Sequence, residues 1–143
     1  MRRVGAVAAL FFVLAGALGA DAAERRVALG EVSSHVVRKD IDVTGVLKST
    51  AQEELSSLDL RRVAAPKDKV IVSVSLVRME DDAAAATCVV SATLRAERTG
   101  KLFAIVEGKA RASQPQANAD ENALRGAVRG AMLRVPEALK EAK

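Results

Sequence analysis

The stretch Thr87-Cys88-Val89-Val90-Ser91-Ala92-Thr93-Leu94-Arg95-Ala96-Glu97, followed by Arg98-Thr99-Gly100 and then Lys101-Leu102-Phe103-Ala104-Ile105-Val106-Glu107-Gly108-Lys109-Ala110-Arg111-Ala112, decides the fold. In the first half Cys88, Val90, Ala92, Leu94 and Ala96 alternate with Thr87, Ser91, Thr93, Arg95 and Glu97. In the second half Leu102, Ala104, Val106, Gly108 and Ala110 alternate with Lys101, Glu107, Lys109 and Arg111. A period of two is the signature of antiparallel strands with one face buried. Arg98-Thr99-Gly100 suits a three-residue hairpin loop in which Gly100 takes the left-handed position. That register sets Glu97 against Lys101, Leu94 against Ala104 and Ala92 against Val106, so inner residues meet inner residues. A slip of one residue would turn either strand inside out.

Working outward, Val70 to Met79 is a third strand: Val70, Val72, Val74 and Leu76 point one way, Ser73 and Ser75 the other. An acidic turn at Asp81-Asp82 permits Val74 opposite Val90. Leu60 to Lys69, with Pro66 and two charge pairs, reads as a connector. From Ile41 the period changes. Val43, Leu47, Ala51, Leu55 and Leu58 fall on one face of a helix, which Asp40 or Asp42 caps. Arg26 to Val32 has β character, and Ser33 to Asp40 is a polar loop. After the hairpin, Leu124, Val128, Ala131, Val135 and Leu139 share another helix face. Asn118 and Glu121 form a capping-box pattern at its start, and Pro136 kinks or ends it. The expected fold is α+β: order β-α-β-β-β-α, an antiparallel three- or four-stranded sheet with two helices on one face, in a single domain spanning 23–143.

Arg2 and Arg3, the apolar run from Val4 to about Ala20 and the Ala20-Asp21-Ala22 site read as a signal peptide over residues 1–22. The alternative is an uncleaved anchor, since the run is near the minimum length of a membrane span. Ala20 stands where a lipoprotein signal would carry cysteine. The expected location is therefore periplasmic or secreted, with no membrane span after cleavage.

Composition excludes several functions. The chain has 143 residues, a formal charge of +4 and 2% aromatics, three Phe with no Tyr or Trp. Cleavage after Ala22 would leave Phe103 as the sole aromatic. One ring builds no base-stacking platform and no aromatic sugar or cation cage. The small positive charge is a weak attractant, so no nucleic acid partner is expected. His35 is the only His and Cys88 the only Cys, too few for a zinc site. Glu80-Asp81-Asp82 lacks the glycine turn of a calcium loop. Cys88 falls on the inner strand face, where a thiol is inert. Neither a nucleophile motif nor a phosphate loop is present. Glu54 falls within the apolar stripe of the first helix, at an edge from which it can reach water. No catalytic residue, metal or cofactor is expected, and no small-molecule ligand is evident.

The run Ala92-Thr93-Leu94-Arg95-Ala96-Glu97-Arg98-Thr99-Gly100-Lys101, the opening strand Arg26-Val27-Ala28-Leu29 and the Ala-rich helix Asn122–Leu139 resemble small periplasmic α/β domains of the TolB N-terminal, CsgG and LpoB type. The resemblance implies a non-catalytic module of the cell envelope that binds another protein. The departures are the absent lipobox and Leu102-Phe103 in place of the aromatic usual after Thr-Gly.

Two features are candidate protein-binding surfaces. By strand parity Ile71, Thr93 and Ile105 lie in a row on the face away from the helices, with Phe103 beside Ile105. Val32, Val36 and Val37 supply a segment that would otherwise cover this patch. The second feature is a small-residue flank, Ala123, Gly126, Ala127, Gly130 and Leu133, on the last helix. Its glycines allow close approach of a backbone, either the first helix or a partner. The expected partners are an envelope protein or a second copy of the chain; a hydrolase built from scattered acids is the least favoured alternative.

Overall fold

In a computed structural model, residues 26–60, 63, 69–114 and 118–141 are described. The signal peptide expected over 1–22 lies outside them. The order is β1 (Val27–Ser34), α1 (Val43–Ser57), β2 (Val70–Asp81), β3 (Ala85–Ala96), β4 (Leu102–Ser113), α2 (Ala119–Leu133) and α3 (Val135–Glu141). The four strands form one sheet in the order β1-β2-β3-β4. The α+β class and the order β-α-β-β-β-α are those read from the sequence.

The sheet is mixed rather than wholly antiparallel. β2, β3 and β4 alternate in direction, but β1 runs parallel to β2. The cause is α1, whose crossover returns the chain to the end from which β1 began, so β2 must point the same way.

Asp42 caps α1, its carboxylate accepting from Gly45 N at 3.1 Å. Asn118 precedes α2 in the left-handed region, φ 68°, and makes no side-chain cap bond. Glu121 pairs with Arg125 at 2.9 Å instead of closing a capping box. The helix breaks at Arg134, and Pro136 sits in the first turn of α3, where its missing N–H costs nothing.

One face of the sheet carries the core: Val70, Val72, Val74 and Leu76 of β2 and Cys88, Val90, Ala92 and Leu94 of β3. Leu47 and Ala51 of α1 and Leu124, Ala127, Val128 and Ala131 of α2 join the same cluster. Polar bonds link the helices. Arg125 donates to Thr50 Oγ1 at 3.0 Å, and Arg129 to Glu54 Oε1 at 3.0 Å. Glu54 sits at the helix edge with its side chain mostly covered, ending on the exposed Arg129.

Two strand irregularities shift the expected register. The pairing of β2 with β3 sets Val74 against Ala92 and Leu76 against Val90, then skips Val77 to reach Arg78 opposite Val89. Val74 therefore faces Ala92 and not Val90, a two-residue difference that preserves which face is buried. Asp82 sets this hairpin by accepting from Ala84 N and Ala85 N, both at 2.7 Å. These N–H bonds, Ala85's first, hold its carboxyl below the usual range. The second irregularity, in β4, changes the outer face of the sheet.

Candidate functional site

Gly100 takes the expected left-handed position at φ 70°, its N–H donating to Ala96 O at 2.9 Å, but Ala96 rather than Glu97 meets Lys101, its N–H donating to Lys101 O at 3.0 Å. Thr93 faces Ile105 and Leu94 faces Ala104, but Arg95 faces Leu102. Phe103 is the extra residue of a bulge. The bulge turns Phe103 toward the core, where it packs half-buried against the buried cluster. Leu102 takes its place beside Ile105. This corrects the expectation that Phe103 lies on the outer face.

The outer face thus carries one cross-strand row of Ile71, Arg95 and Leu102 and a second of Ser73, Thr93 and Ile105. Ile71 and Ile105 are not in one row. Ile71 is half-buried, whereas Leu102 is 43% and Ile105 62% exposed. Val32 and Val36 pack against the core and Val37 is 90% exposed, so that segment does not close over the patch. Toward the other end, Val89 is buried between Arg78 and Lys109, and long stems of this kind cover apolar surface.

The glycines of α2 face β4 of the same chain, not α1. A Cβ on Gly126 would meet Ala110 Cβ at 2.9 Å, and one on Gly130 would lie 3.6 Å from Gly108 Cα. Close backbone approach is real here, but its first use is to seat α2 on β4. On the opposite flank Arg125 and Arg129 reach Thr50 and Glu54 of α1.

A third feature escaped the sequence reading. Arg38, in the β1–α1 loop, donates to Asp40 at 2.8 and 2.9 Å and to Asp81 at the end of β2 at 2.8 Å. It also donates to Asp120 in the first turn of α2 at 3.0 Å and touches Met79 Sδ at 3.3 Å. One guanidinium therefore ties a loop, a strand and a helix. Asp120 Oδ1 is buried and accepts no hydrogen bond from the surrounding groups. The neighbouring Asp81 carboxyl raises Asp120, helped by burial, while Asp81 itself is held low by Asp120 and by Arg38. The Arg38 guanidinium holds Asp40 low as well.

The two carboxyls have opposite linkage. Asp120, raised in the folded state, contributes stability in acid that is lost as pH climbs through its folded value. Asp81, lowered, contributes stability above the ordinary carboxylate range that is lost as pH falls. Arg38→Gln removes the counter-charge, so its destabilisation is expected to be largest at neutral pH. It should shrink on titration below roughly pH 4, where carboxylates take up protons. Urea melts of both proteins across pH check this; a pH-independent difference would rule out the charge account.

Beside the clasp lies a shallow cleft of about 250 Å³ lined by Asp40, Ile41, Gln114, Asn118 and the start of α2. Cys88 Sγ is 4.0 Å from Asp120 O on the core side. Burial, and then the charges of Asp120 and Asp81, push its thiol up to about 12. Native protein is expected to label slowly with a thiol reagent at neutral pH and fully after denaturation. Fast native labelling would refute burial. His35 is exposed in its loop, its backbone N–H on Leu76 O at 3.0 Å. Among the described residues, no three His, Cys, Asp or Glu side chains group as metal ligands, and no helix is long and apolar enough to cross a membrane.

No protein-family model and no curated protein matches the chain. Solved structures do. The hypothetical protein CT253 from Chlamydia trachomatis aligns over 79% of this chain and 96% of its own, at 11% identity and a TM-score of 0.59. A lipoprotein candidate from Caulobacter crescentus aligns over 87% and 95%, at 11% identity and a TM-score of 0.49. The PelC dodecamer from Paraburkholderia phytofirmans aligns over 81% and 86%, at 12% identity and a TM-score of 0.47. The likeness to the Chlamydia protein shows a shared small α/β fold.

Proposed function

We propose that this chain is a non-catalytic module of the bacterial cell envelope, exported by its N-terminal signal to the periplasm or beyond, that docks another protein on the outer face of its sheet. The observation that carries the reading is the pair Leu102 and Ile105, open to solvent at the hairpin end of a face whose middle is polar, with Ser73, Ser75, Ser91 and Thr93. Together with half-buried Ile71 they form an apolar patch rimmed by Arg95, of the kind that marks protein contacts. The resemblance to the TolB, CsgG and LpoB type points the same way, as does the Arg2-Arg3 leader with its Ala20-Asp21-Ala22 site.

The test is a double variant, Leu102→Ser with Ile105→Ser. Its melting temperature is expected to stay close to that of the native protein, while site-specific crosslinking to the partner in the native envelope disappears. Phe103→Ser, by contrast, is expected to cost about 2 kcal/mol or more, because the ring packs on the core. A partner crosslink undiminished in the double variant would overturn the docking face. A second reading, a self-associating structural subunit, is favoured by a separate observation on β4.

A further inference from the structure

We infer that the free edge of β4 is a homodimer interface, in which two copies pair β4 against β4 across a two-fold axis at Gly108. The inference supplies a surface for the self-associating reading and does not depend on the docking of another protein.

β4 is an edge strand twelve residues long, with only β3 beside it among the described residues. Gln114 N donates to Ala84 O at 2.9 Å, continuing the ladder that sets Ala85 against Ser113. In an antiparallel pair the residues alternate between facing the partner strand and facing away. Even-numbered positions along this part of β4 therefore spend their N–H and C=O on β3. Ile105, Glu107, Lys109 and Arg111 turn theirs to the open side. Such a row is a template for another strand unless charge repels it.

The charges on this edge are self-complementary in one register. A two-fold pairing of outward-bonding residues can set Glu107 opposite Glu107, Lys109 opposite Lys109, or Glu107 opposite Lys109. The first two oppose like charges. The third sets Glu107 of each copy against the partner copy's Lys109 and brings Val106 against Ala110, and Ala104 against Ala112, on the helix side. It also uses nearly the whole of β4, from Phe103 to Ser113.

The helices permit this approach. Paired strands lie about 4.8 Å apart, whereas packed helices ordinarily need 8–10 Å. Two copies of α2 seated over adjacent strands would be crowded unless their facing flanks were small. The flank of α2 away from α1 carries Gly126 and Gly130, with Leu133, 64% exposed, at its end. A second copy is the occupant that matches the charge pattern of the edge.

The test uses sedimentation of the purified protein across micromolar concentrations. The native chain is expected to be a reversible dimer. Glu107→Lys alone and Lys109→Glu alone should each weaken it about tenfold, since each sets like charges opposite twice per dimer. An equimolar mixture of the two variants should recover native affinity as a heterodimer, because every pair across the axis is then opposite in sign. Three outcomes would overturn the interface: a native chain monomeric throughout, a dimer indifferent to both reversals, or a mixture no tighter than its components. Crosslinking of another protein near Ile105 that persists in a monomeric Glu107→Lys variant would leave the docking face standing while the native dimer is tested separately.

Discussion

Val90→Asp is expected to unfold the protein, and Ser91→Asp, one residue along the same strand, to leave it folded. Val90 is fully buried in β3, facing Leu76 on one side and Gly108 on the other. A carboxylate there has no cation within the core cluster and no room for water. Burying an unpaired charge costs several kcal/mol even after protonation relieves part of it. Domains of this size have about 5–15 kcal/mol in all, so the folded population collapses. Ser91 points to the outer face between Ser75 and Glu107. Its replacement opposes Glu107 across the strand pair, at a cost of roughly 1 kcal/mol or less. Circular dichroism and urea melts of the two variants settle it. Equal loss would mean that the sheet is covered on both faces.

That contrast rests on alternation, and alternation was the legible part of this fold. Val72 to Leu76 and Val90 to Leu94 alternate apolar and polar residues without a break, so the buried face can be read without knowing what buries it. The direction of β1 also followed from a principle in plain view, because a strand, a helix and a strand in sequence imply a parallel pair. The antiparallel pattern of the three later strands does not extend to the first, which a helix separates from β2.

The bulges were not legible for a physical reason. A strand with one extra residue keeps its composition and loses only its phase. Leu102-Phe103-Ala104-Ile105 is apolar throughout, so nothing in it marks where the phase changes. The turn at Gly100 does not fix the slip at Phe103, so strand parity puts Phe103 on the outer face where Leu102 belongs. The arginine clasp was hidden differently. Arg38, Asp81 and Asp120 lie 43 and 39 residues apart along the chain and meet only because the ends of β1 and β2 and the start of α2 share one end of the sandwich. Each reads alone as a solvated charge. The signal available was topological: the start of the last helix and the end of the second strand share one end of the sheet, so their acids share a neighbourhood in which an arginine is worth seeking.

The small residues between α2 and β4 should separate into unequal classes when a single methyl group is added. Gly108→Ala is expected to be the most damaging. Its Cβ would fall on Ala127 O and Ala131 N, and 3.0 Å from Gly130 C. All three are backbone atoms of a helix held by its own hydrogen bonds, so no rotamer can give way. The helix must lift from the sheet, opening the packing of Ala127 and Ala131 against β4. Overpacking of this kind costs about 1–3 kcal/mol, and more where the obstruction is rigid. Gly126→Ala meets a methyl group, Ala110 Cβ, at 2.9 Å and should lose less. Gly130→Ala has ordinary contact room, with Gly108 Cα at 3.6 Å and Lys109 N at 4.0 Å. It also replaces a helix-interior glycine, which disfavours the helix by about 1 kcal/mol relative to alanine. In the monomer it should therefore match or exceed the native stability. Urea melts of the three variants, run dilute so that association does not contribute, are expected to rank Gly130→Ala above Gly126→Ala above Gly108→Ala. A Gly108→Ala protein as stable as the native one would show that α2 does not sit this close to β4, and the argument for a small helix flank beside the strand edge would fall with it.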